Sequence, residues 1–96
     1  MKVERYKQAL QVLENLYYNF KTIKSMAESL KTYYKQQINL SKNYTMMAEY
    51  IDDLEDMYEV YKRDSEELTN VLDKFISKIE ECEDRIEYLK PNSKIL

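Results

Sequence analysis

The chain has 96 residues, a net charge of −3, no Gly, one Pro (Pro91), no His, one Cys and 34% charged residues. That composition removes most turn and β-hairpin chemistry, leaves helix formers dominant and predicts an all-α chain forming one domain. Without His, the Ser/His and Cys/His dyads and the Glu-x-x-His metal sites of helical bundles are absent, so the expectation is a non-enzymatic protein.

The N-terminal segment MKVERYKQAL is followed by no apolar run of signal-peptide length, and no stretch is long and apolar enough to span a bilayer. With a single cysteine, Cys82, no intramolecular disulfide can form, which fits a reducing compartment; a cytoplasmic location with no membrane association is the expectation.

From residue 12 onward, two rows recur every seven residues. One reads Leu16, Ile23, Leu30, Gln37, Tyr44, Ile51, Tyr58, Ser65, Leu72, Ile79 and Ile86. Its companion reads Val12, Asn19, Met26, Tyr33, Leu40, Met47, Leu54, Tyr61, Leu68, Phe75, Cys82 and Leu89. Only Asn19, Gln37 and Ser65 are polar among them, which is the heptad pattern of a left-handed helical seam.

Extra apolar residues flank the seam on one side in the first half (Leu13, Phe20, Ala27, Tyr34) and on the other in the second (Tyr50, Met57, Val71). Faces that wide need two neighbours each, so a folded-back chain is preferred to a single rod of roughly 120 Å. The segment INLSKNYTMM, rich in weak helix formers, is the place for the turn.

The predicted elements are a helix at about 3–38, a turn at about 39–45, a helix at about 45–90 and a tail at 91–96. Asn43 is a candidate for the helix C′ position, and Ser41 or Thr45 for an N-cap. The polar run KRDSEE, residues 62–67, marks a second soft spot and keeps a three-helix alternative open. With arms of these lengths, Cys82, Ile86 and Leu89 would overhang the first helix. That overhang and the wide faces together predict a homodimer packed as a four-helix bundle.

Residues 1–45 carry 8 basic against 3 acidic side chains, and residues 46–96 carry 7 against 15. Lys7, Lys21, Lys24, Lys31, Lys35 and Lys42 are expected opposite the seam of the first helix. The corresponding face of the second is acidic, densest in EYIDDLEDMYE. Opposite signs favour antiparallel alignment of the arms.

The candidate partner-binding residues are Asp52, Asp53, Asp56 and Glu59, facing a basic protein surface, with Tyr17, Tyr18 and Tyr88 as off-seam tyrosines supplying contact area. Tyr33, Tyr44, Tyr58 and Tyr61 are expected in the core. Cys82, on the seam, is read as a small apolar residue.

No cofactor or metal site is expected: clusters such as EECEDRIE lack the turns that calcium loops require. Direct nucleic-acid binding is disfavoured by net charge. The expected function is a small adaptor or inhibitor acting through a helical surface. The alternatives are an acidic mimic of nucleic acid that blocks a DNA- or RNA-binding enzyme, and a purely architectural coiled-coil protein.

Overall fold

A computed structural model describes residues 2–89 and forms an antiparallel helical hairpin. Helix α1 runs Lys2–Ser41, a 3₁₀ turn Thr45–Met47, and helix α2 Ala48–Leu89. The molecule measures 77 × 19 × 14 Å, which is one hairpin long and two helices wide. The expected end of the second helix before Pro91 and the tail 91–96 lie outside the described residues.

The fold-back occurs without glycine because consecutive backbone N–H groups take short-range partners. Lys42 N donates to Ile38 O (3.1 Å), Asn43 N to Leu40 O (3.2 Å) and Tyr44 N to Ser41 O (3.0 Å). These bonds satisfy carbonyls that the end of a helix leaves open. Tyr44, extended at φ −126° and ψ 117°, occupies the N-cap position of the 3₁₀ turn, and no side chain caps it. Neither Ser41 nor Thr45 is the N-cap: Ser41 is the buried last residue of α1, and Thr45 already lies inside the turn. The run KRDSEE is continuous helix, because Tyr61, Ser65 and Leu68 hold its inner face against α1 and outweigh its weak local signal.

Along α2 the two heptad rows form the buried seam as expected, from Ile51 and Leu54 to Ile86 and Leu89. Along α1 they do not. Its buried or half-buried rows are Val3, Leu10, Tyr17, Lys24, Lys31 and Ile38, together with Tyr6, Leu13, Phe20, Ala27, Tyr34 and Ser41; of the heptad rows only Gln37, beside the seam, is half-buried. The helix is rotated, so that the flanking apolar lane becomes the hairpin seam and the most regular heptad lane faces outward.

Two aromatic pairs lock that rotation. Phe20 and Phe75 lie 5.4 Å apart between ring centroids, and Tyr34 stacks on Tyr61 at 5.7 Å with an 11° interplanar angle. Small Ala27 and Ser41 complete the row and are buried. Aromatic pairs of this geometry contribute about 0.5–1.5 kcal/mol beyond area burial, which favours this lane over one of isolated aliphatics.

The arms differ by only two residues, 40 against 42, which corrects the expected overhang. Carried past Phe20 and Phe75, the register places Cys82 level with Leu13, and Ile86 and Leu89 level with Leu10 and Tyr6. Cys82 is a buried free thiol. The end of α2 therefore supplies no reason for a second chain.

Candidate functional site

Rotation of α1 leaves a row of large apolar side chains in solvent. Val12, Leu16, Ile23, Met26, Leu30, Tyr33 and Leu40 are all exposed, from 38% at Leu16 to 59% at Met26. Tyr33 and Tyr44, expected in the core, are 51% and 60% exposed, while Tyr58 and Tyr61 are half-buried as seam residues.

The row is continuous with apolar groups on the same side of α2. Ile23, Met26 and Leu30 of α1 and Tyr61, Leu68 and Val71 of α2 line an open hollow of about 480 Å³, with Asp64 and Glu67 at its α2 border. Beyond the row, the next lane of α1 is Gln8, Asn15, Thr22, Ser29 and Gln36, polar and uncharged throughout. The apolar face is thus bordered on its α1 side by polar, uncharged side chains, a composition compatible with the polar rim of a protein interface.

The lysines of α1 gather on the opposite flank, where the rotation brings Lys24 and Lys31 half into the seam rather than away from it. Lys24 Nζ lies 3.1 Å from Glu28 Oε1, and the same oxygen accepts a long hydrogen bond (3.5 Å) from buried Ser65 Oγ. Farther along, the Lys35 ammonium sits over the Tyr58 ring at 5.5 Å.

Hydrogen bonding from Lys24, followed by its charge, holds the Glu28 carboxyl below its ordinary value of 4.5. A depressed folded-state value means that this contribution is present above pH 4.5 and is lost as pH falls through the folded value. The thermal midpoint of Glu28→Gln should therefore fall slightly below that of the native chain at neutral pH and converge with it in acid. A gap that persists unchanged in acid would assign the effect to packing.

The acidic candidates Asp52, Asp53, Asp56 and Glu59 are all exposed on the first turns of α2, beside the fold-back. Tyr18 is 61% exposed and Tyr88 82% exposed. Tyr17 is half-buried along the seam and meets Tyr18 edge to face, with ring centroids 5.5 Å apart. These residues stand at three stations. In register, Tyr17 and Tyr18 lie about 27 Å along the hairpin from Glu59, the nearest of the acidic group, and Tyr88 about 43 Å from it, at about 1.5 Å per residue. The four carboxylates share one short stretch of α2, and the fold-back does not add the tyrosines to them.

Among the described residues, no three His, Cys, Asp or Glu side chains converge on a point that could hold a metal ion. No described helix is long and apolar enough to cross a membrane. No protein-family model, curated protein or solved structure matches the chain.

The apolar face of α1 was concealed in the sequence because its heptad spacing is that of a hairpin seam. The signal that could have revealed it is the uncharged lane Gln8, Asn15, Thr22, Ser29 and Gln36: a helix face turned wholly to water would carry charges there.

Proposed function

We propose that this protein is a non-enzymatic protein–protein interaction module, a small adaptor or inhibitor that works through its helical surface. The observation that carries this reading is the row from Val12 to Leu40, a length of helix whose large apolar side chains the hairpin itself leaves uncovered. An apolar patch of such extent marks a contact surface on a small protein. Around the corner from it, Asp52, Asp53, Asp56 and Glu59 form an acidic edge that selects a basic partner surface and speeds encounter with it.

The test is affinity capture from the native host with the native chain and with a variant carrying Lys at all four acidic positions. The native chain should retain a specific partner whose yield drops as salt rises, and the charge-reversed chain should lose it while keeping its helical circular dichroism. Equal capture by the folded variant would reject the acidic edge as the recognition element. Displacement of the partner by an oligonucleotide would move the reading to nucleic-acid mimicry.

A further inference from the structure

The outward face of α1 has a symmetry of its own. Its two lanes are Leu16, Ile23, Leu30 and Gln37, and Val12, Asn19, Met26, Tyr33 and Leu40. In an antiparallel pair of helices, each layer sets a residue of one lane against a residue of the other lane on the facing helix. Laid antiparallel against itself with the two-fold axis level with residue 28, α1 matches Leu16 with Leu40, Ile23 with Tyr33 and Leu30 with Met26. The same alignment matches Gln37 with Asn19.

Every apolar residue in these layers then faces an apolar one, and the two amides meet each other, once on each side of the axis. A slip of one heptad in either direction destroys this. One slip sets Asn19 against Leu30 and Gln37 against Val12; the other sets Gln37 against Met26. Buried amides left without partners are costly, so Asn19 and Gln37 select one register among those that the aliphatics allow.

We propose that a second copy of this chain covers the apolar face, with α1 packed antiparallel on α1 of the other copy in this register, so that the two turns lie at opposite ends of a four-helix bundle. The uncharged lane of Gln8, Asn15, Thr22, Ser29 and Gln36 borders the contact on its α1 side, so that self-pairing brings no like charges together along that border; the α2 border carries exposed Asp64 and Glu67. Residues 12–40 extend about 42 Å. The α1 face alone, about 10 Å across, gives about 400 Å² per copy; with the adjoining apolar groups of α2, Tyr61, Leu68 and Val71, a face as wide as the 19 Å hairpin approaches about 800 Å² per copy, the size of a standard stable interface. The proposal deepens the interaction-module reading by naming one occupant of its surface, and it leaves most of the acidic edge outside the contact.

Sedimentation of the native chain should give twice the monomer mass, and Ile23→Asp combined with Leu30→Asp should give the monomer mass with the helical signal retained. Spin labels on Ser29→Cys or on Gln8→Cys, each in a Cys82→Ser background, then read the register by electron–electron distance. Two labels at position 29 should lie within about 20 Å of each other, the helix spacing plus the label arms. Two labels at position 8, each about 20 residues from the axis, should lie about 60 Å apart.

Short distances at both positions would mean that α1 lies on α2 of the other copy, which overturns the proposal. A native chain that stays monomeric at high concentration, or a dimer indifferent to the two aspartates, overturns it as well. Partner capture through the acidic edge is read in the monomeric variant, so that failure of self-pairing and failure of the interaction reading give different results. If a labelled variant does not fold, Asn15→Cys in the same background replaces it, with about 40 Å expected between the two labels, and a native monomer or a dimer indifferent to the aspartates overturns the proposal without labels.

Discussion

Ala27→Asp is expected to collapse the hairpin, while Met26→Asp, one residue away, leaves it folded. Ala27 is 6% exposed at the seam, and Met26 is 59% exposed on the outer face. A carboxylate forced into the seam is desolvated and crowds the closest part of the helix contact, and Lys24 and Lys31, half in the seam one turn to either side, offset that only in part; the cost is about 3 kcal/mol, a large part of the total stability of a small domain. At position 26 the same carboxylate stays in water, and its effect falls on whatever covers the outer face. Thermal unfolding followed by circular dichroism, on dilute samples of both variants, checks the pair. The reverse order of stabilities would return the hairpin seam to the heptad lane of Leu16, Ile23 and Leu30.

The Phe20–Phe75 contact should yield the second largest effect. Both rings are half-buried, with centroids 5.4 Å apart. Partial exposure places each Phe→Ala substitution near the low end of the usual range, at about 3 kcal/mol. The double variant should lose less than the sum of the singles, with a coupling of about 0.5–1.5 kcal/mol for the ring pair. Urea titrations of the four chains measure that coupling. A value of zero would mean that the rings do not meet, and with them would go the register that sets Cys82 level with Leu13.

These two experiments address the step that was least legible beforehand. The heptad rows of α2 were readable because only one lane pair is consistently apolar there, so Ile51, Leu54, Leu72 and Phe75 have one way to face inward. In α1 the apolar surface wraps about half the helix, from Phe20 and Ala27 round to Met26 and Tyr33. Periodicity alone cannot say which part of such a face takes the intramolecular partner. The acidic edge was legible as well, since Asp52, Asp53, Asp56 and Glu59 crowd one turn-proximal stretch with nothing apolar to bury them except Leu54 and its neighbours. Their separation from Tyr18 and Tyr88 was not, because it depends on the antiparallel register.

Composition and spacing determined that this chain is helical and that its helices carry more apolar surface than one pairing can cover, and they favoured a fold-back at about residues 39–45 over a continuous rod. Those properties follow from backbone propensity and from counting apolar residues per turn, both local quantities. Tertiary structure decided which face of α1 is spent on the hairpin and which is left for contact. That choice depends on Phe20 and Tyr34 finding Phe75 and Tyr61 across the seam, with Ala27 and Ser41 small enough between them to let the helices close. Such fit is a property of two surfaces together, and neither helix read alone contains it.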